Sequence, residues 1–172
     1  MLMQLQYEKT LITGKPGVGK TTLVRNIIAQ MQSVPMAGFY TTEIRSKGYR
    51  TGFELRGLNG DRRILAHVRL ESRHRVGKYG VDTPGFENFL ENLDLLHPHV
   101  ELIVIDEIGK MELFSNRFKT LVLDVLNTNK SLLATIALQG KGFIQEIKQR
   151  PDVCLIEVTH NNRDRLLAAI IG

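Results

Sequence analysis

The sequence has no tryptophan, a single cysteine and only five prolines among 172 residues, and aromatic residues make up 6% of it. One cysteine, Cys154, excludes an internal disulfide; it sits in an apolar stretch that reads as a buried strand. No apolar run approaches the roughly 20 residues that a membrane-spanning helix needs. The first residues, MLMQLQYEK, lack the basic-then-apolar layout of a secretory signal, so a cytoplasmic protein without membrane association is expected. His97 and His99 flank Pro98 with no second ligand pair, which argues against a zinc site. No repeat, low-complexity tract or linker divides the chain, and its length suits one domain over residues 1–172.

Charge is present but unevenly placed. Of a net +5, residues 45–78 carry +7: ten Lys/Arg against Glu54, Asp61 and Glu71. That segment reads either as a solvated hairpin region or as a surface facing phosphate. Nucleic acid is not the expected partner, because no recognition module or aromatic interleaving accompanies the charge.

Apolar patterning gives an alternating order of elements. Glu8–Thr13 reads as a strand and Lys20–Gln32 as a helix with Leu23, Ile27, Ile28 and Met31 on one side. Ala37–Ile44 and Thr51–Leu58 read as a hairpin turning at Ser46-Lys47-Gly48, followed by strands at Arg63–Val68 and Gly77–Val81. Thr83, as cap, and Pro84 open a helix to about Leu96. Glu101–Asp106 reads as a strand buried on both faces. Phe114–Leu126 is then a helix, Leu132–Leu138 a strand, Phe143–Gln149 a helix, Val153–Val158 a strand and Arg163–Ile171 a closing helix. The expected fold is α/β, a mainly parallel sheet flanked by helices, with an antiparallel hairpin patch.

Residues 14–21, G-K-P-G-V-G-K-T, satisfy G-x-x-x-x-G-K-[ST], lying between an apolar strand and an amphipathic helix. Such a loop must bring main-chain N–H groups close to a polyphosphate. Gly14, Gly17 and Gly19 allow that approach, with Lys15, Pro16 and Val18 completing the loop. Lys20 supplies a point charge for the β- and γ-phosphates, and Thr21, with Thr22 after it, starts a helix whose N-terminus favours anions. A strand-tip acid beside the loop must help hold the metal: Asp106 follows four apolar residues, and Glu107 is placed to polarise water. The expected metal ligands are Thr21 and Asp106, the expected ion Mg²⁺, and the catalytic set Lys20, Asp106 and Glu107.

Asp82-Thr83-Pro84-Gly85 spells the D-T-P-G of switch GTPases. However, the stretch before it is too broken for a central strand, and the guanine-reading N-K-x-D is missing. It reads as a helix start.

V-I-D-E-I-G-K-M-E-L (Val104–Leu113) and G-F-Y-T-T-E-I-R (Gly38–Arg45) resemble the cancer-related nucleoside-triphosphatase family. The likeness continues through R-V-G-K-Y (Arg75–Tyr79), Ala134-Thr135-Ile136, Lys141-Gly142 and Asn162-Arg163, so it covers essentially the whole chain. Departures fall at residues 82–87 and at Leu138-Gln139-Gly140. The resemblance implies a RecA-like or nucleotide-kinase-like P-loop fold. It also implies Mg²⁺-dependent hydrolysis of ATP, GTP, CTP and UTP to diphosphate and phosphate, with broad base tolerance and slow turnover, by a protein expected to be monomeric. Carried over, Gly14–Thr21 is the phosphate loop and Asp106-Glu107 the second nucleotide-contacting stretch. Because R-V-G-K-Y recurs in the family, Arg73 or Arg75 is the expected arginine to close over the phosphates. Glu43 is a candidate for the mouth of the site. A nucleotide or nucleoside kinase, and a nucleotide-gated binding module with residual hydrolysis, remain alternatives on the same scaffold.

Overall fold

In the computed structural model, residues 4–172 are described. Nine strands form one sheet in the order β5-β6-β4-β3-β2-β7-β8-β1-β9. Its parallel half contains β2 (Met36–Ser46), β7 (Leu102–Ile108), β8 (Ser131–Ile136), β1 (Lys9–Gly14) and β9 (Cys154–Val158). The other half is antiparallel: β3 (Tyr49–Gly57), β4 (Arg62–His67), β6 (Tyr79–Val81) and β5 (Arg75–Val76) extend outward from β2. The helices are α1 (Lys20–Gln30), α2 (Thr83–Leu93), α3 (Asn116–Leu126), α4 (Phe143–Lys148) and α5 (Arg163–Ile170). None is long and apolar enough to cross a membrane.

The period of two along a strand explains why the central strands are apolar throughout. In β7, Ile103 and Ile105 join a core with Phe86, Phe89, Phe118 and Val122 from α2 and α3. Leu102 and Val104 point the other way, into a core with Leu23, Val24 and Ile27 of α1 and Ile170 of α5. The scarce aromatics concentrate in the first core. Phe39 meets Phe86 and Phe89 edge-to-face at 5.9 and 5.8 Å, and Phe86 lies 5.2 Å from Phe118, a geometry that adds to simple area burial.

Several local expectations are corrected. The strand carrying Asp106 is not the immediate neighbour of the loop-bearing strand: β8 lies between β7 and β1. Asp106 is also not a strand tip, since β7 continues to Ile108 across a register shift. The cap of α2 is Asp82, whose carboxylate accepts from the Gly85 amide at 3.0 Å, while the Thr83 hydroxyl pairs with His74 Nδ1. The helix expected from Phe114 is interrupted. A 3₁₀ turn covers Glu112–Phe114, and Ser115 then caps α3 by accepting from the Phe118 amide. Cys154 lies on an edge strand, half-buried, because β9 has a partner on one side only.

The predicted hairpin turn is a two-residue one, with Lys47 and Gly48 both at positive φ, the twist that suits right-handed strands. Farther along β2, Gly38 has φ +142°, and a Cβ there would sit 2.0 Å from the Val104 carbonyl oxygen. The close approach of β2 to β7, which joins the hairpin to the parallel half, therefore requires glycine. Gly38→Ala is expected to destabilise the protein by about 3 kcal/mol or more. Urea denaturation measures this, and a wild-type midpoint would refute the packing argument.

Candidate active site

β1 ends at Gly14 and α1 begins at Lys20, so the loop between them must reverse direction within five residues. Gly17 and Gly19 adopt φ +76° and +108°, where a side chain would be strained. Val18 is buried in the α1 core and anchors the loop, while Lys15, Pro16 and Gly17 are exposed. Gly19 is the N-cap of α1 and provides no side-chain cap. The first N–H groups of a helix have no internal acceptor; here they are left for an anion at the positive end of the helix. Lys20 Nζ folds back over the loop and donates to the carbonyls of Gly14 (2.9 Å) and Lys15 (3.3 Å).

Asp106 is 2% exposed and is held by three threonines from three elements. Thr21 of α1 donates to Oδ2 at 2.7 Å, and Thr135 of β8 donates to Oδ1 at 2.5 Å. Thr41 of β2 donates its hydroxyl to the Asp106 carbonyl at 2.5 Å and directs its amide to Oδ2 at 3.5 Å. Strand alternation explains the placement: Asp106 follows the parity of Leu102 and Val104, whose side chains face α1. Burial pushes the Asp106 carboxyl up, and the hydrogen bonds from Thr135, Thr21 and Thr41 together with the Lys20 charge oppose that rise. Burial likewise raises Glu107, with Lys20 working to lower it and Asp106 adding to the rise.

These groups open on one cleft of about 660 Å³, within the range of small-molecule sites. The floor is the loop and the start of α1, from Pro16 to Arg25. One side is formed by Asp106, Glu107, Lys110, Met111 and Glu112, and the other by hairpin residues Thr41, Thr42, Glu43, Arg50 and Phe53. Of the residues expected from the sequence, Pro16, Gly17, Gly19, Lys20, Thr21, Thr22, Asp106 and Glu107 line it. Gly14 is buried at the end of β1, Lys15 faces outward and Val18 faces the core. Glu43 reaches the cleft; Arg73 and Arg75 do not. Arg75 instead donates to the Lys78 carbonyl at 2.9 Å and braces the β5–β6 turn, while Arg73 is exposed.

Sequence reasoning missed Arg25, Arg50 and Glu112 on the cleft wall, and Thr41 and Thr135 behind Asp106. Only the tertiary arrangement brings them there. The one signal for Thr41 and Thr135 lay in the family-like segments that contain them.

The donor set suits a hard divalent cation. Thr21 spends its hydroxyl proton on Asp106, which leaves its oxygen lone pairs for an ion, and every nearby ligand is oxygen. Among the described residues, no group of three His, Cys, Asp or Glu could enclose a metal without help. An ion bound here completes its shell with water and phosphate oxygens.

Comparison with known proteins places this geometry in a family. A family profile described as NTPase matches residues 9–171. Nucleoside-triphosphatase THEP1 of Thermotoga sp. (strain RQ2) is 42% identical over 165 residues, covering 95% of this chain and 94% of that protein. The human cancer-related nucleoside-triphosphatase is 43% identical over 176 residues, covering 93% of each. The crystal structure of THEP1 from the hyperthermophile Aquifex aeolicus superposes with a TM-score of 0.85 at 37% identity, covering 94% of this chain and 95% of that one. The solution structure of the human protein gives 0.79 at 39% identity, covering 94% of each. The chain belongs to the nucleoside-triphosphatase family that includes THEP1 and the human cancer-related enzyme.

Proposed function

We propose that the protein hydrolyses nucleoside triphosphates to diphosphate and orthophosphate in the cleft between the phosphate loop and the hairpin. The observation that carries this reading is the uncapped N-terminus of α1 opening on the same cleft as the Thr21–Asp106 pair. NTP hydrolysis is the activity named for its relatives from bacteria and mammals. The kinase alternative is not favoured by them. ATP, GTP, CTP and UTP are all proposed substrates, because the sequence contains no base-reading N-K-x-D. A monomer is proposed as its working state.

The loop amides and Lys20 bind and orient the β- and γ-phosphates, with Gly14–Thr22 as the cradle. Mg²⁺ would be held by the Thr21 hydroxyl and Asp106, and would supply charge neutralisation on the triphosphate. Glu107 orients the attacking water. As the water oxygen bonds to the γ-phosphorus, the bond from that phosphorus to the bridging oxygen breaks, and the water proton passes to Glu107. A buried, raised carboxylate is a better proton acceptor than a solvated one. Asp106 stays with its threonine donors and positions rather than reacts.

Glu112 adds a neutral acid to this wall. It is 5% exposed on the 3₁₀ turn after β7. Burial, and next the neighbouring Glu107 charge, raise its carboxyl to about 8. It therefore favours the protonated form near neutral pH.

Lys20→Ala is expected to abolish phosphate release and weaken nucleotide binding; retained tight triphosphate binding would count against the loop assignment. Glu107→Gln should keep nucleotide affinity while kcat falls at least ~10-fold, the lower end of what a positioned base contributes being about 10². An unchanged kcat removes Glu107 from the mechanism. Phosphate release measured across the four triphosphates, with Mg²⁺ and with EDTA, tests base tolerance and metal dependence together.

A further expectation concerns pH. Because folding raises the Glu112 carboxyl from its ordinary 4.5, the folded state holds that proton more tightly than the unfolded one. Its contribution to stability is complete below about 4.5 and is lost as pH rises toward 8, at up to about 1.4 kcal/mol per pH unit. In EDTA without nucleotide, Glu112→Gln should match the wild-type Tm near pH 5 and exceed it at pH 8–9. Parallel Tm curves would show that Glu112 does not titrate in this way.

A further inference from the structure

The cleft holds four cationic side chains, three of them on the loop, α1 and the segment after β7. Lys20 is folded over its own loop. Arg25 lies on α1 with its guanidinium 5.4 Å from the centroid of the Tyr40 ring. Lys110 belongs to the segment that follows β7. The fourth, Arg50, comes from a different part of the fold, the antiparallel hairpin that forms the outer wall.

Arg50 is held in a way that fixes its plane and leaves one edge available. Its Nε donates to the Tyr79 hydroxyl at 3.0 Å, and that hydroxyl points back to the Arg50 carbonyl at 3.4 Å. Its guanidinium carbon lies 5.1 Å from the Phe53 ring centroid and 5.8 Å from that of Tyr79. Nη1 donates to Glu43 Oε1 at 3.0 Å, while Nη2 has no hydrogen-bond partner among the described residues. The contact between Arg50 and Glu43 is the replaceable part. Both side chains are substantially exposed, and exposed ion pairs contribute little. Glu43 is not left unpaired when Arg50 leaves, because Arg45 already donates to its Oε2 from Nε (2.9 Å) and Nη2 (2.6 Å). A phosphoryl group offers a stronger, forked acceptor for the same edge of the guanidinium.

We infer that Arg50 is the guanidinium that contacts the γ-phosphoryl group during hydrolysis, and that Glu43 occupies its Nη1 edge until substrate arrives. This deepens the triphosphatase reading and rests on it. The terminal phosphoryl group gains charge-stabilising donors as its bond to the bridging oxygen breaks. Arg50 approaches from the hairpin, the side away from the loop, so phosphate is gripped from two elements of the fold. The excess of basic residues at 45–78 therefore has a functional member at its N-terminal end, whereas Arg73 and Arg75 lie outside the cleft.

The test compares phosphate release from MgATP with binding of ADP alone and of ADP plus aluminium fluoride, which resembles the transferred group. Arg50→Ala is expected to lower kcat at least ~100-fold, on the low side of the range for such arginines, with KM within about threefold. It should bind ADP normally but lose the extra affinity for ADP with aluminium fluoride. Arg50→Lys, which keeps the stem and the charge but not the fork, should lose at least ~10-fold in kcat and retain the wild-type Tm. Glu43→Gln, which weakens the carboxylate competing for the Arg50 edge, should lower KM. Arg73→Ala, outside the cleft, serves as the control for general loss of charge and should be within twofold throughout.

Wild-type kcat in either Arg50 variant overturns the inference, as does a loss of ADP affinity as large as the loss in kcat/KM. A Glu43→Gln variant as impaired as Arg50→Ala overturns the placeholder role. Failure of the parent reading has a separate signature: the wild-type protein itself would then release no phosphate from any of the four triphosphates with Mg²⁺.

Discussion

The site depends on one buried carboxylate. Asp106 is nearly inaccessible, and an ionised carboxylate left unpaired in such a place costs several kcal/mol. Thr21, Thr41 and Thr135 offset that cost by donating from α1, β2 and β8, so the charge also sets the mutual position of those three elements. The supporting strand is secure enough to carry it. Leu102, Ile103, Val104 and Ile105 are each essentially inaccessible, and burial of each contributes about 1.5–3 kcal/mol. The same bonds leave Thr21 with free lone pairs beside a negative charge, which is the local chemistry a hard cation needs.

β8 between β1 and β7 gives this arrangement its shape. Asp106 and Thr21 meet directly across it, at 2.7 Å. With β8 inserted, Thr135 satisfies the other oxygen of the carboxylate. The hairpin completes the cleft from the other side. β2 is parallel to β7 at its start and continues past it to pair with β3, so Glu43 and Arg50 project at the edge of the cleft. Gly38 permits that junction by letting β2 approach Val104 closely.

What the sequence made legible follows from how local each requirement is. The phosphate loop is a contiguous conformational demand, so its glycines, Lys20 and Thr21 could be named without knowing the fold. Alternation of strands and helices gave the α/β class, and four aliphatics before Asp106 marked a central strand. Strand order is a non-local property, and the position of β8 could not be read from spacing. Thr41 and Thr135 are ordinary strand residues until the sheet brings them to Asp106. The arginines show the same limit: Arg75 lies in a family-like segment and braces a turn, while Arg50 reaches the cleft through hairpin pairing. Asp82 displaced Thr83 as the cap because its carboxylate lies within reach of the Gly85 amide, whereas the Thr83 hydroxyl is engaged by His74.

Charge in the cleft connects these features to its ligand. Lys20, Arg25, Arg50 and Lys110 face Glu43, Asp106, Glu107 and Glu112. If all four acids were ionised, the cleft would be neutral and would repel a polyphosphate near its carboxylates. Burial raises the Glu112 carboxyl to about 8, which reduces the negative charge it brings to the cleft near neutral pH. Glu43 is already served by Arg45, so its share of Arg50 can be given up at little cost. The start of α1, the Thr21–Asp106 pair and the Arg50 guanidinium line one cleft, the arrangement proposed here to take a triphosphate.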